Sequence, residues 1–204
     1  MTTLLLINSS ARQTGSHSRS LSGYFKDRWV QTFPGSRVIT RDLVESELPH
    51  LDDDTINAFY GLAEPRKECP SGVCKSDELI DEVMQADVIC LASPMYNFSV
   101  SSLLKAWIDL VVRSGKTYHK VADGQHEGMC RGKTVIVLST SGGQFFGSHM
   151  DHLHPYIDVV LGFMGITDVE HVRLEGLAHN DINHDESKRS AHKAIDTFID
   201  ALNA

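Results

Sequence analysis

This 204-residue chain has no dense run of Lys or Arg, no apolar stretch of transmembrane length and only four cysteines, at positions 69, 74, 90 and 130. Each scarcity removes a class. A formal net charge of -8 argues against a general nucleic-acid binder, which neutralises phosphates with a basic surface. The short apolar run near the N-terminus lacks the basic flank and length of a signal-peptide core, so a cytoplasmic protein with no membrane span is expected. Cysteines so scattered do not make a secreted disulfide scaffold. Cys90 sits in an apolar strand pattern and reads as a small core residue, while Cys69 and Cys74 read as free thiols because a zinc set needs another Cys pair nearby. Also missing are the Gly-x-x-x-x-Gly-Lys-Ser/Thr loop of nucleotide triphosphatases, the Gly-x-Gly-x-x-Gly turn of dinucleotide folds and any internal repeat. Neither Ser93 nor Ser141 lies in the Gly-x-Ser-x-Gly elbow of serine hydrolases, and no paired base is indicated. Of His149, His152 and His154, only the first two have i, i+3 spacing and no third strong ligand is evident, so no metal site is expected.

What is present is an ordinary soluble composition, 41% hydrophobic and 23% charged, enough for one well-buried domain. Four apolar, β-branched runs, residues 3–7, 37–40, 87–92 and 134–139, read as buried parallel strands, with 168–174 a weaker fifth. Helical spacing lies between them. Leu21, Tyr24, Phe25, Trp29 and Phe33 form one apolar face, ended by Pro34-Gly35. Leu79, Ile80, Val83 and Met84 form a second, and Leu103, Leu104, Trp107, Ile108 and Val111 a third. Residues 156–163 and 191–202 supply two more helices. Strands alternating with helices imply right-handed crossovers and an α/β, three-layer sandwich; five strands point to a flavodoxin-like parallel sheet. Two stretches interrupt the alternation. Residues 47–76 read as an irregular excursion with a short helix around 55–62, and residues 114–132 as a hairpin or extended lobe.

In such a sheet, ligands collect beyond the carboxyl ends of the strands. The loop after the first strand, Asn8-Ser9-Ser10-Ala11-Arg12-Gln13-Thr14-Gly15-Ser16-His17-Ser18, runs into a helix start. Hydroxyls beside unpaired helical N–H groups suit a phosphate, and without a dinucleotide turn a mononucleotide is the better fit. The loop after the third strand, Ser93-Pro94-Met95-Tyr96-Asn97-Phe98-Ser99, offers a stiff backbone, an apolar wall and an amide that both donates and accepts. A flat heteroaromatic ring needs those groups. After the fourth strand, Thr140-Ser141-Gly142-Gly143 lets backbone approach a ligand with no Cβ in the way. Taken singly, the first loop reads more readily as a helix cap and each of the others at least as readily as an ordinary turn; the three in register point to a site.

Ser10, Ser16-His17-Ser18, Pro94-Met95-Tyr96-Asn97-Phe98 and Gly142-Gly143 together resemble the FMN-dependent NADH:quinone oxidoreductase and azoreductase family. The likeness runs from Leu4 to the last helix and includes Leu103 to Asp109 and Leu161 to Thr167. It implies one flavodoxin-like FMN-binding domain over residues 1–204, with Ser10, Ser16, His17 and Ser18 at the FMN phosphate. Pro94, Met95, Tyr96, Asn97 and Phe98 would then lie at the ring's edge and face, and Thr140, Ser141, Gly142 and Gly143 at its pyrimidine end. It further implies two-electron, ping-pong transfer from NADH through FMN to quinones and azo compounds. By the same resemblance no catalytic side chain is required, and a homodimer is expected. Tyr118, Phe145 and Phe146 are the expected substrate walls, with core or dimer packing as the alternative for each. The competing reading is a flavodoxin-like carrier that holds FMN without NADH-dependent activity. Two departures stand out. Some relatives have an Arg before the glycines where this chain has Ser141, and residues 47–76, with Cys69 and Cys74, depart from the family pattern.

Overall fold

In β1 (Thr3–Asn8), Leu4, Leu5, Leu6 and Ile7 are all buried, which requires a strand covered on both faces. Successive side chains point to opposite faces, so Leu4 and Leu6 join one core and Leu5 and Ile7 another. The computed structural model describes residues 2–62, 69–179 and 182–203. Their order is β1, α1 (His17–Thr32), β2 (Arg37–Asp42), α2 (Asp53–Phe59), α3 (Ser71–Gln85), β3 (Val88–Pro94), α4 (Ser102–Val111), β4 (Tyr118–Lys120), β5 (His126–Gly128), β6 (Thr134–Thr140), α5 (His154–Phe163), β7 (Asp168–Leu174) and α6 (His184–Leu202).

The five strands of the main sheet are parallel and ordered β2-β1-β3-β6-β7, the 2-1-3-4-5 arrangement of flavodoxin-like sheets. All five expected strands are present, and the fifth has the expected bounds. Helices α1 and α6 cover one face, where Phe25 and Trp29 pack with Ile195 and Ile199. Helices α3, α4 and α5 cover the other, around Leu79, Val83, Trp107 and Ile157. Trp29 is fully buried, with its indole N–H donating to Ser36 at 2.8 Å. Truncating it to Ala costs about 3–5 kcal/mol.

The departures from expectation have local causes. α3 begins at Ser71, inside the stretch expected to be irregular, and Met84, assigned to its buried face, is 42% exposed. α6 begins at His184, with the Asn183 side chain capping Glu186 N–H at 3.2 Å; its first turns are polar and carry no apolar periodicity. The interruption at 114–132 forms the β4–β5 hairpin. It is seated on the end of α5 where the Gly128 and Gly165 backbones touch: a Cβ on Gly128 would lie 2.1 Å from Gly165 N. Cys69 and Cys74, expected as free thiols, are joined by a disulfide at the start of α3. The helical turn beginning at Ser71 brings Cys74 back beside Cys69, a proximity that their spacing alone does not disclose.

Candidate functional site

The strand order reverses at β1, and the cleft beyond the carboxyl ends of β1, β3 and β6 lies at that reversal. It is lined by Ser10, Arg12, Gly15, Ser16 and His17 from the first loop, by Pro94, Met95 and Tyr96 from the second, and by Thr140, Ser141 and Gly142 from the third. Leu177 and Ala178, after β7, complete it. At about 260 Å³ it is smaller than the roughly 300–1,000 Å³ that encloses a drug-sized ligand. It therefore seats part of a flat ligand and leaves the rest open. Larger hollows lie elsewhere, of about 450 Å³ between α4 and α5, 410 Å³ beneath α2, 450 Å³ at the start of α6 and 550 Å³ along its length. The first takes Ser99 from the second loop and Pro155 from the start of α5, and the third takes Asn183 from the cap of α6, but none is lined by the first loop, so none combines ring and phosphate donors.

The first loop ends on the cap of α1. Ser16 Oγ accepts from Arg19 N–H at 3.4 Å and lies 3.2 Å from the buried Ser18 hydroxyl. The N–H groups of His17 and Ser18 belong to the first turn, where the helix itself supplies no acceptor. Ser10 Oγ accepts from Arg12 N–H at 3.2 Å and meets the Tyr96 hydroxyl at 3.3 Å, joining the first loop to the second. Burial, with the charges of Lys188, Arg12 and His184, holds His17 below the ordinary imidazole range. It is thus a neutral donor at pH 7, set in the positive field of Arg12 and Lys188.

The second loop is backbone-strained where its chemistry is expected. Asn97 and Phe98 have φ of 49° and 70°, left-handed values that cost a non-glycine residue about 1–3 kcal/mol each. A reciprocal hydrogen-bonded pair between Tyr96 and Ser99, at 3.0 and 3.1 Å, closes the turn around them. Met95 N–H donates to Thr140 O at 2.7 Å and ties the second loop to the third.

In the third loop the carbonyls of Ser141, Gly142 and Gly143 accept from Leu177, Ala178 and Gly176 N–H at 2.9 to 3.1 Å. A Cβ on Gly143 would lie 2.5 Å from the Phe145 ring, which is why glycine stands there. Among the described residues, the N–H groups of Gly142, Gly143, Asn97 and Phe98 have no protein acceptor. Three pairs of unspent backbone donors therefore lie in the three loops; His17 and Gly142 line the cleft itself, whereas Ser18, Asn97, Phe98 and Gly143 follow lining residues in the chain without lining it.

The expected wall residues are split. Phe145 packs edge-on against Phe98 with ring centroids 5.5 Å apart, and neither ring lines the cleft. Phe146 is half exposed beside it, its ring under the Arg173 guanidinium at 3.6 Å. Glu175 Oε1 fixes the backbone of both, accepting their N–H groups at 2.8 and 3.0 Å. Tyr118 lies elsewhere, on the hairpin against Phe163 and His126, in the hollow beneath α2.

Four features of the site were missed from sequence. Arg19 braces the first loop from behind, donating to Arg12 O and Ser10 O at 2.9 Å. Leu177 and Ala178 follow the strand with the weakest pattern, so their loop was not counted. Arg12 is an unremarked member of the quoted loop. The fourth is a buried chain: Ser139 Oγ lies 2.8 Å from His154 Nε2, and His154 Nδ1 lies 3.0 Å from both Asp151 oxygens. A base paired with a serine does exist, on Ser139 and not on Ser93 or Ser141, and a neighbouring-histidine motif such as 149–154 is the only signal for it. Among the described residues no group of three His, Cys, Asp or Glu is placed to hold a metal ion, and no helix is long and apolar enough to cross a membrane.

Comparison with known proteins bears on the fold and the family. Residues 2–199 match the family described as Flavodoxin-like fold. An FMN-dependent NADH:quinone oxidoreductase of Alkalilimnicola ehrlichii is 39% identical over 201 residues, covering 98% of this chain and 100% of the relative. One from Burkholderia pseudomallei is 43% identical over 196 residues, 96% of this chain and 98% of its own. Among solved structures, an FMN-dependent NADH-azoreductase from Bacillus anthracis in complex with FMN shares the fold at a TM-score of 0.86, with 20% identity over 100% of both chains.

Proposed function

Because this chain belongs to the flavodoxin-like family of FMN-dependent NADH:quinone oxidoreductases, we propose that its cleft holds FMN and takes NADH and a quinone or azo compound in turn on one open face. The protein is an FMN-dependent oxidoreductase using NADH. FMN, when bound, accepts two electrons from the nicotinamide and passes them to the acceptor. The residues present fit that group. His17 and Ser18 have spare N–H groups at the positive end of α1, with the hydroxyls of Ser10, Ser16 and Ser18 beside them. Those residues hold the phosphate.

Met95 and Tyr96 form the floor, while Asn97 and Phe98 present two free N–H groups and an amide to the ring's edge. Gly142 and Gly143 direct their unspent N–H groups at the electron-rich pyrimidine end, where preorganised dipoles favour added negative charge. Ser141 brings no charge there; its hydroxyl donates to Gly143 O at 2.7 Å and stiffens the turn. The observation that carries this reading is the set of three donor pairs without protein acceptors in the three loops that meet at one cleft. On this reading the open side of the small cleft serves one flat partner at a time, hence a ping-pong order. The whole chain acts as one FMN-binding domain. We take the protein to be a homodimer, the apolar hollow around Ile56, Phe59 and Tyr118 supplying surface for a second copy.

The test is an anaerobic titration. Protein reconstituted with FMN should bleach to the reduced flavin on NADH and recover on a quinone, with parallel double-reciprocal plots. Bound FMN that NADH leaves oxidised means an electron carrier instead, and absence of FMN binding removes both.

A further inference from the structure

We propose that His154, pinned between Ser139 and Asp151, is a positioning residue that sets the flavin-edge segment Asn97-Phe98 and the facing Phe145 segment. This rests on the FMN reading above. The three side chains form a fully used buried chain. Asp151 accepts N–H groups from Gly147, Leu153 and His154 at 3.1 to 3.2 Å, and both its oxygens face His154 Nδ1. Burial pushes the Asp151 carboxyl up, but hydrogen bonds from the His154 backbone and ring and from Gly147 outweigh it and keep the group ionised. An ionised carboxylate only accepts, so Nδ1 carries the imidazole proton and Nε2 is left to accept from the Ser139 hydroxyl at 2.8 Å. Burial keeps the ring neutral against the pull of Asp151.

The arrangement has the connectivity of a hydrolytic triad without its setting. Ser139 lies inside β6, and neither it nor His154 lines the cleft or any of the larger hollows; of the three only Asp151 reaches one, between α4 and α5. A nucleophile needs room for a reacting carbon and donors for its oxyanion.

What the chain reaches is two segments that continue from cleft-lining residues, Asn97-Phe98 after Tyr96 and the segment of Phe145 after Gly142. His152, between Asp151 and His154, donates its N–H to Phe98 O at 3.1 Å and accepts the Ser99 hydroxyl at 3.4 Å. These bonds grip the strained pair from outside, and a strained backbone persists only where its surroundings over-determine it. On the other side, Gly147 N–H bound to Asp151 anchors the segment that carries Phe145, and the Phe146 ring meets His154 edge-on at 4.9 Å. Ser139 joins both segments to β6, one residue before Thr140, whose carbonyl holds Met95. One imidazole therefore registers Asn97-Phe98 and Phe145 against the strand that ends in the glycine loop.

The experiment compares wild type with Ser139→Ala, which removes only the hydroxyl, and with His154→Asn, which keeps a donor toward Asp151 and loses Ser139. Ile199→Val, in α6 on the opposite face, serves as the control for general loss of stability. Melting by circular dichroism identifies the folded variants. FMN affinity is read by fluorescence titration, the bound-flavin spectrum by absorption, and kcat and KM for NADH by initial rates. Both site variants should weaken FMN binding roughly tenfold, alter the bound-flavin spectrum and lower kcat about tenfold with KM little changed, within the hundredfold that a ~1 Å misplacement costs. The control should change none of these. Folded variants with wild-type affinity, spectrum and kcat overturn the inference, as does an Ile199→Val protein that reproduces their losses. Wild type that binds no FMN overturns the functional reading and this inference together, so the two failures are told apart.

Discussion

Arg19 and Asp42 meet fork to fork: Nη1 faces Oδ2 and Nη2 faces Oδ1, the latter at 2.8 Å, joining α1 to the end of β2. The guanidinium has donors to spare. Its Nε holds Arg12 O and its Nη2 also holds Ser10 O, each at 2.9 Å, so the pair clamps the loop assigned to the FMN phosphate without facing the ligand. A lysine ammonium cannot serve a carboxylate and two diverging carbonyls from one planar fork. Arg19→Lys should therefore keep the charge and still weaken FMN binding by several-fold in a fluorescence titration, while unchanged affinity would show that the loop holds its shape unaided.

The same pair sets a pH signature. Arg19's hydrogen bonds hold the Asp42 carboxyl below its ordinary value against the opposing effect of burial, with Val44 N–H assisting. A depressed carboxylate contributes its full stability above its unfolded pKa, about 3.9, and loses it as pH falls through the lower folded value. Both side chains are only 17% exposed, so solvent screens the pair little. Asp42→Asn should cost about 1–3 kcal/mol at neutral pH. The gap in melting temperature between wild type and variant should stay level down to about pH 5 and close in stronger acid. A gap unchanged at the acid end would place the stabilisation elsewhere.

Asn97 separates side chain from backbone at the ring's edge. Asn97→Ala removes the amide and adds no relief of the φ of 49°, whereas Asn97→Gly removes the amide and the strain together. The amide is assigned to the ring, so both variants should lose flavin retention or NADH-driven flavin reduction by about tenfold or more, scaled to 1.4 kcal/mol per factor of ten. Stopped-flow reduction with measured FMN occupancy decides it. If Asn97→Gly keeps wild-type occupancy and rate while Asn97→Ala does not, the backbone N–H groups carry the role alone.

The parts of this molecule legible in its sequence are those written in periodicity or in contiguous loops. Leu4 to Ile7 announce a doubly covered strand, and the Trp29 face announces its helix, because burial on one side repeats at a fixed interval. The first turns of α6 and the start of α3 are mostly polar; the former rests on the Asn183 cap and the latter, which has no side-chain cap, on the contact of Gly72 with Thr55, neither of which apolar spacing reports. The three loops were readable since strand order places them together whatever their conformation. Ser139 and His154 were not, for they stand fifteen residues apart across an irregular turn, and only the rotation of that turn brings their side chains together. Tyr118 shows the converse: an aromatic residue in a promising segment is carried by its hairpin to another hollow.

The cysteines offer a test that needs no ligand. Cys90 and Cys130 are buried, and burial pushes both thiols up, so neither is a ready nucleophile in the folded protein. Cys69 and Cys74 are exposed and joined. Native protein should take up no alkylating agent without reductant and two equivalents after it, read by intact mass. The ring closed is short, with a sequence separation of 5, so reduction should cost at most about 2 kcal/mol of stability by loop-closure entropy. Two equivalents taken up before reduction would mean that the thiols are free in solution.

Ser16 and Ser18 distinguish a phosphate cradle from a mere helix cap. Ser16 does both jobs in the proposed site, since its hydroxyl already accepts from Arg19 N–H. Ser16→Ala should therefore lower stability by about 1 kcal/mol as a lost cap and weaken FMN binding as well. Ser18 has the neighbouring Ser16 hydroxyl as its hydrogen-bond partner, so Ser18→Ala should leave the melting temperature nearly unmoved. Its loss should instead appear in FMN affinity, at about 1.5–3 kcal/mol for a hydrogen bond to a charged group, or roughly a tenfold to hundredfold rise in Kd. Riboflavin, which has the ring and no phosphate, supplies the internal control: its affinity should be indifferent to Ser18→Ala. Equal losses for riboflavin and FMN would mean that the substitution distorts the ring site, and no loss for either would return Ser16-His17-Ser18 to capping alone.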